Sequence, residues 1–589
     1  MPLARRLAIL LLTVSMPLAA TAQDSTGEAA APEPATEEVF EGDAGAFLAA
    51  RAAATTNDYR AVAQWQARAL AADPDNPQLL QPMIVASAAI GDFESAAAAS
   101  RHLKELGQGL PVGDLMIVTD RADKGDFAGI LADADTLSTL GPLTAGLVTG
   151  WAEFGNGRMS EAKAAFDKVG DMQGMEAFAL YHQALALAAA GDFEGADAIF
   201  SGKAAGPINL NRRGVIAHAE ILSQLERNED ALQRLNEAFG PESDPAIDRI
   251  RAALNEGQTL PFDVVSDAKS GIAEVFFTVA TALNGQADDS FTLLYARASS
   301  HLSPRLSDAI LLSGGLLEQQ KQYDLAIETY SLILPEDPNA TMAQIGIAGA
   351  EQAKEMPDEA IARLTALAAD HPENFAVHLA LGDALRREER YAEAVTAYDA
   401  AIAQIPEPQP AHWTLYYSRG VAEERSGQFD DSVTDLKKAL ELMPGQPQVL
   451  NYLGYSWVDR GENLEEAMAM IQQAVAAEPD AGYIIDSLAW ALFRTGKYQE
   501  ALEPMERASL LEPVDPIVTD HLGDVYWMNG RKVEARYQWH RALAFEPTEK
   551  DAERIQRKLE VGLDVVMQEE AAGQGQAAPA EPAATADGG

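Results

Sequence analysis

The stretch from Gly482 to Asp515, GYIIDSLAWALFRTGKYQEALEPMERASLLEPVD, is followed directly by Pro516 to Glu549, PIVTDHLGDVYWMNGRKVEARYQWHRALAFEPTE. The two segments align position by position. Leu488-Ala489 matches Leu522-Gly523, Leu492 matches Tyr526, and Gly496 matches Gly530. Ala501, Ala508 and Pro513 match Ala535, Ala542 and Pro547, so the period is 34 residues. A fixed period of this length builds a solenoid, an architecture that offers a long binding surface rather than a reaction vessel.

Each unit reads as two amphipathic helices. Ile485, Leu488, Ala489 and Leu492 fall at i, i+3, i+4, i+7 and form one apolar stripe. Thr495-Gly496-Lys497 breaks the helix, since Gly enters the left-handed region that commonly ends one. Tyr498, Ala501, Met505 and Ala508 then form the stripe of a second helix, which Pro513 stops. Gly454, Ala489, Gly523, Ala467, Ala501 and Ala535 are small because two helix backbones must approach closely there.

Seven units in this register open near Ser307, Thr341, Phe375, Trp413, Pro447, Gly482 and Pro516. The Pro447 unit carries one extra residue in the turn Gly461-Glu462-Asn463-Leu464, and Pro408-Gln409-Pro410 lies in a four-residue insert before Trp413. Tyr391, Ala394, Tyr398, Ala401 and Pro406 follow an aromatic, Ala, aromatic, Ala, Pro order, and Tyr323, Ala326, Tyr330 and Pro338 follow it without the second Ala. On these residues the chain resembles the tetratricopeptide repeat family. The resemblance implies an all-α, right-handed α-solenoid whose first helices line a concave groove.

The N-terminal half carries a degraded version of the pattern. Asp58-Tyr59, Gly91-Asp92-Phe93, Gly125-Asp126-Phe127 and Gly191-Asp192-Phe193 each sit between Ala/Leu-rich segments and read as inter-helix turns. About six units open near Asp43, Pro77, Pro111, Leu143, Ala177 and Arg212, giving about 13 in all. An irregular stretch from Leu260 to Gly271 precedes a helix pair from Ile272 to Leu302. That stretch reads as a structural connection, with a joint between two arms or a partner-docking loop as alternatives.

The ends differ in kind. Arg5-Arg6, the apolar run Leu7 to Val14 and Ala20-Thr21-Ala22 read as a secretory signal peptide over residues 1–22. The run is too short to span a membrane, and no later segment is long and apolar enough. The chain has no cysteine, which excludes disulfides, thiol chemistry and lipid attachment through a cleavage-site cysteine. These features point to a soluble protein secreted across the inner membrane into a periplasm. Residues 23–42 and 568–589 are rich in Ala, Pro and Glu or Gly and read as disordered tails. Ile555, Leu559 and Leu563 suit a capping helix over 550–567. The domain reading is therefore 43–245 degenerate helix pairs, 246–306 connection and divergent pair, and 307–549 the seven regular units.

The net charge is −46, and loss of Arg5 and Arg6 with the signal peptide, which contains no acid, takes it to −48. Such a surface repels phosphate backbones and anionic membranes and steers basic partners inward. Catalytic patterns are absent. None of the nine histidines stands in an H-E-x-x-H or H-x-x-H spacing, and His371 and His378, the nearest pair, straddle a repeat boundary. No phosphate-binding loop or nucleophile elbow occurs. Ser266-Asp-Ala-Lys269 matches S-x-x-K by coincidence: Lys269-Ser-Gly271 lies directly beside it, whereas serine acyl enzymes of that type place the two motifs far apart on an α/β scaffold. No metal, cofactor or catalytic residue is expected.

The candidate site is the stripe that faces the groove, about 100° from the packing stripe. The resemblance places it on positions 2, 5, 9, 12 and 13 of each first helix. In the last four units this gives Tyr417, Arg425, Asn451, Tyr455, Asp459, Tyr483, Asp486, Trp490, Phe493, Arg494, Asp520, Asp524 and Trp527. Aromatics mixed with a few charges make up binding hot spots, and they also pack against neighbouring repeats. The family's carboxylate clamp uses Lys, Asn and Arg here. This chain keeps Asn451 and Arg494 but has Asp486, Asp520 and Asp524, which favours an apolar or basic extended segment over an acidic tail. Asn451-Tyr-Leu-Gly-Tyr-Ser-Trp457, Asp486-Ser-Leu-Ala-Trp490 and Asp520-His-Leu-Gly-Asp-Val-Tyr-Trp527 are similar to the C-terminal units of bacterial envelope adaptors. Those adaptors include the lipoprotein partner of a periplasmic carboxy-terminal processing protease. The expectation is a non-enzymatic periplasmic scaffold that binds a protein or peptide. The alternatives are a self-assembling structural protein and, more remotely, an enzyme in the N-terminal half.

Overall fold

The computed structural model describes residues 43–574, apart from Ala205, Pro207 and residues 241–244. The signal peptide, the 23–42 linker and the end of the tail therefore lie outside the described residues. Those that are described form helices, one 3-10 turn and no strand. None of these helices is long and apolar enough to cross a membrane.

Local chemistry sets the helix boundaries. At the Asp58, Asp92, Asp126 and Asp192 turns, the preceding residue (Asn57, Gly91, Gly125 or Gly191) has φ between 54° and 89°. The Asp carboxylate then accepts from the backbone N–H three residues on, at 2.9–3.0 Å, and caps the second helix. Tyr59, Phe93 and Phe193 open those helices, with Tyr59 and Phe93 buried. First helices begin at Pro77, Pro111, Arg212, Ser307, Phe375, Trp413, Pro447, Gly482 and Pro516, where the repeat places them. Where the expected openings were Leu143, Ala177 and Thr341, helices start one residue earlier, at Pro142, Glu176 and Ala340.

Small residues sit where helices press together. A Cβ at Gly150 would overlap the Phe166 ring, one at Gly382 the Tyr398 ring, and one at Gly523 the Trp539 ring. Ala467, Ala489, Ala501 and Ala535 have no exposed surface.

The chain divides into two compact units, one running to Leu367 and the other starting at Ala368. The units opening at Ser307 and Ala340 thus belong with the N-terminal half, whereas the sequence pattern groups them with the regular units. The reason lies in contacts distant in sequence. Residues 260–264 are strapped along helix Arg212–Gln224. The Leu260 N–H donates to Ser223 Oγ at 2.9 Å, the Asp263 N–H to Glu220 at 3.2 Å, and Arg213 to the Val264 carbonyl at 3.3 Å. Helices Ala268–Leu283 and Asp289–Leu302 then fold back onto the first helices Pro77–Ile90, Pro111–Asp123, Pro142–Gly155 and Glu176–Ala189.

Gly271 lies flat against the Trp151 indole, and Tyr181 donates to Glu274 at 2.8 Å. Arg297, buried with no carboxylate in hydrogen-bond reach, donates to the Ala89 carbonyl at 2.9 Å, capping the C-terminal end of helix Pro77–Ile90. His301 stacks on Phe93 with centroids 4.3 Å apart. Tyr59 donates to Gln320 at 2.6 Å, Gln322 donates to the Thr56 carbonyl at 2.8 Å, and Arg60 pairs with Glu328. In this unit the surface that first helices would offer a partner is occupied by the chain's own helix pair.

The C-terminal unit is a run of stacked helix pairs closed by helices Glu549–Val561 and Leu563–Gln574. The second of these runs past the expected end of the cap at 567. Its register is set by Leu563 and Val566, which are buried, and by Gly562, which lies against Trp527.

Candidate functional site

The groove stripe of the last four units is built on helices Trp413–Arg425, Pro447–Arg460, Gly482–Arg494 and Pro516–Met528. The last three pack side by side. Because each helix turns 100° per residue, positions 5, 9 and 12 of one helix meet the next helix along one seam. The stripe residues divide into a buried floor and a half-exposed rim.

The floor consists of Asn451, Asp486, Trp490, Phe493, Asp520, Asp524 and Trp527. Trp490 is sandwiched between Phe493, 4.9 Å away at 7°, and His521, 3.9 Å away at 11°. His521 Nδ1 lies 3.0 Å from both Asp486 oxygens. Burial pushes the imidazole pKa down; Asp486, backed by Asp520 and Asp524, outweighs it and holds the pKa above the ordinary value.

Asp520 and Asp524, one turn apart, face Lys558 at 2.6 and 2.7 Å and Arg554 at 3.5 and 3.6 Å. Asp524 also accepts from Trp539 Nε1 at 2.9 Å, and its pKa is raised because burial outweighs the Lys558 charge. Trp527 Nε1 donates to Asp564 at 3.0 Å, and its ring lies 5.2 Å from Trp539.

The rim consists of Tyr417, Arg425, Tyr455, Asp459 and Tyr483, all half-buried, with Arg494 more exposed. Tyr417 meets Tyr452 edge-on at 5.9 Å. Arg494 bridges two units by donating to the Asp459 carboxylate at 2.7 Å and its carbonyl at 2.9 Å. Tyr483 packs with Leu450 and Ile484. Arg425, although burial lowers its pKa, is held above the ordinary value by Tyr452, Tyr391 and Glu424.

His521, Arg554, Lys558 and Trp539 complete the floor and were missed in the sequence. The signal was there: Arg554 and Lys558 repeat, on helix Glu549–Val561, the i, i+4 spacing of Asp520 and Asp524. Two buried carboxylates one turn apart require cations at that spacing. Asn451 Oδ1, Trp490 Nε1 and Asp520 Oδ1 are buried polar atoms with no hydrogen-bond partner in the chain. Among the described residues no three His, Asp or Glu side chains are placed to hold a metal ion.

Comparison with known proteins bears on the family. A tetratricopeptide repeat model matches residues 348–407, 410–482 and 487–552. A TPR repeat-containing protein of Pseudomonas aeruginosa is 28% identical over 186 residues, which is 31% of this chain and 30% of that protein, so the match spans under a third of the relative's length. Among solved structures, the Cut9-Hcn1 hetero-tetramer of APC/C aligns over 88% of this chain and 96% of its own, at 15% identity and a TM-score of 0.39. A tetratricopeptide repeat protein from Parabacteroides merdae aligns over 44% and 98%, at 15% identity and 0.37.

Proposed function

From a tetratricopeptide repeat protein, with repeats matched over residues 348–552, we propose a non-enzymatic periplasmic scaffold. Its C-terminal unit holds a protein or extended peptide segment of an envelope partner along the first-helix stripe. The observation that carries this reading is the rim of Tyr417, Tyr455 and Tyr483. Three partly exposed aromatics, on three successive first helices, stand beside a floor whose charges are largely paired inside the chain. Such a surface gains affinity from apolar contact on the aromatics, while Asp459, Arg494 and Arg425 tune specificity and on-rate. The acidic balance favours basic or apolar segments. The similarity of the last units to envelope adaptors supports delivery of the bound protein to a periplasmic protease or cell-wall enzyme.

The test leaves the floor intact, because Trp490 and Trp527 are packing residues whose removal disturbs the fold. A photo-crosslinking amino acid is placed at Tyr483 or Tyr417, and for comparison at Glu503, which is exposed on the second helix of its unit. After irradiation in cells, adducts are identified by mass spectrometry. An envelope protein captured at 483 and 417 but not at 503 is the expected result. Equal capture at all three positions, or none at the rim, overturns the groove as the binding site.

A further inference from the structure

Exposed large apolar side chains are concentrated in two places. One is the outer face of the last two repeats: Leu510 and Val533 are each 81% exposed, Val514 68% and Tyr537 67%. Val533, Tyr537 and Arg541 follow one another at i, i+4, i+8 on helix Lys532–Leu543, and Arg541 bonds to the Pro513 carbonyl. The patch therefore runs continuously from that helix to the 510–514 turn. Its helix also carries cations. Residues 531–541 hold Arg531, Lys532, Arg536 and Arg541 against Glu534; Arg531 pairs with Glu506 and Glu534, Lys532 lies 3.7 Å from Asp564, and the 510–514 segment adds Glu512, so the positive charge of the face rests on Arg536 and Arg541. Arg536 and Arg541 donate to the Leu559 and Pro513 carbonyls rather than to carboxylates, so these bonds leave their charge uncompensated.

The second concentration is the turn after helix Tyr323–Tyr330. Leu332 is 58% and Leu334 61% exposed, with Met342 exposed beyond. This patch is acidic: residues 323–353 contain Asp324, Glu328, Glu336, Asp337 and Glu351 and no Lys or Arg. Arg60, Lys354 and Arg363 pair with Glu328, Asp324 and Glu351, while Glu336 and Asp337 make no ion pair among the described residues. Arg249 donates to the Glu336 carbonyl of this turn at 3.2 Å.

We propose that the basic, apolar face of Val533, Tyr537 and Arg536 docks onto the acidic, apolar Leu332–Leu334–Glu336 turn of a second copy of this chain. Each surface alone is an unpartnered apolar patch; together they match in both hydrophobicity and charge. The contact joins two different patches, so it is heterologous and builds head-to-tail chains or rings of scaffolds. Neither patch includes a residue of the first-helix stripe of the last four units.

The test is light scattering of the full chain across a concentration series, in low salt and in about 0.5 M salt, where charge attraction is screened within a few ångströms. Wild type is expected to gain mass with concentration in low salt and to lose the gain in high salt. Tyr537→Glu and Leu334→Lys, both at exposed positions, are each expected to weaken association about tenfold or more while keeping wild-type circular dichroism. An equimolar mixture of the two variants retains one intact pair of patches and is expected to stop at two chains. A wild type with the mass of one chain throughout overturns the proposal, as does a mixture that stays at one chain. Variants that associate as wild type does overturn it too. A one-chain wild type that co-sediments with phosphatidylglycerol vesicles also overturns it, and assigns the basic face to lipid.

Discussion

The Lys558 ammonium lies 2.7 Å from the Asp524 carboxylate, and neither side chain has any exposed surface. Asp520 shares the same cation at 2.6 Å. Two acids and this buried cation are thus enclosed between helices Pro516–Met528 and Glu549–Val561, with Arg554 at the edge, and removing Lys558 strands the acids. Lys558→Met is expected to destabilise the C-terminal unit by about 3–5 kcal/mol. Lowering the pH should shrink that deficit, because Asp524, whose pKa burial already raises, protonates and no longer needs the cation. Urea melts of wild type and variant at pH 7 and pH 5 measure both effects. An equal deficit at the two pH values would contradict the assignment.

Glu423 should make the protein less stable as pH rises. Burial, reinforced by Asp435, lifts its pKa from 4.5 to about 8, despite Arg419. The folded state therefore binds a proton that the unfolded state releases, and stability falls between about pH 4.5 and 8. Glu423→Gln keeps the shape and removes the titration. It should melt higher than wild type at pH 8, by on the order of 1 kcal/mol or more, and equal to it near pH 4. Scanning calorimetry at the two pH values decides this.

His521 acts in the same direction, in a different window. Its folded pKa is above 6.5 because of Asp486, so its stabilisation is complete below that value and is lost as pH rises through the folded pKa. His521→Gln should abolish this step, read as the pH dependence of the melting temperature.

Three consecutive units place a residue other than glycine in the left-handed region: Lys321 at φ 60°, Glu355 at 61° and Glu389 at 56°. The equivalent turns at Gly496 and Gly530 use glycine, at 78° and 81°. Changing each of the three to Gly should stabilise by about 1 kcal/mol, since the left-handed penalty disappears. The sites are far enough apart for the gains to add.

Ala501→Leu should cost about 1–3 kcal/mol by overpacking a position with no free space. Trp490→Ala, which empties the slot between Phe493 and His521, should cost about 3–5 kcal/mol. A thermal melt that either change leaves unaltered would refute the packing described at that position.

The parts of the fold legible in the sequence are those with local causes. Pro77, Pro111, Pro447 and Pro516 announce helix starts because proline's fixed φ suits the first turn. Gly91-Asp92-Phe93 announces its turn because the three residues supply a left-handed bend, a cap and an anchor within one stretch. The return of helices Ala268–Leu283 and Asp289–Leu302 was not legible. Nothing near Gly271 says that Trp151, 120 positions earlier, lies against it. At the groove stripe, the sequence named residues lying along one seam, but it did not divide Tyr417 and Tyr483 on the rim from Trp490 and Asp524 in the floor. That division depends on His521 and Lys558, which lie on neighbouring helices.

The Tyr59–Gln320 hydrogen bond spans 261 residues, and this sets an order of folding for a chain that emerges N-terminus first: Tyr59 waits until 261 further residues have followed it. Until then the first helices carry an uncovered apolar flank that the Ala268–Leu302 pair will later shield. An open repeat array can settle unit by unit as it emerges; this half of the chain completes only after nearly two thirds of the polypeptide exists. The nascent N-terminal repeats are therefore the segment most dependent on chaperone protection.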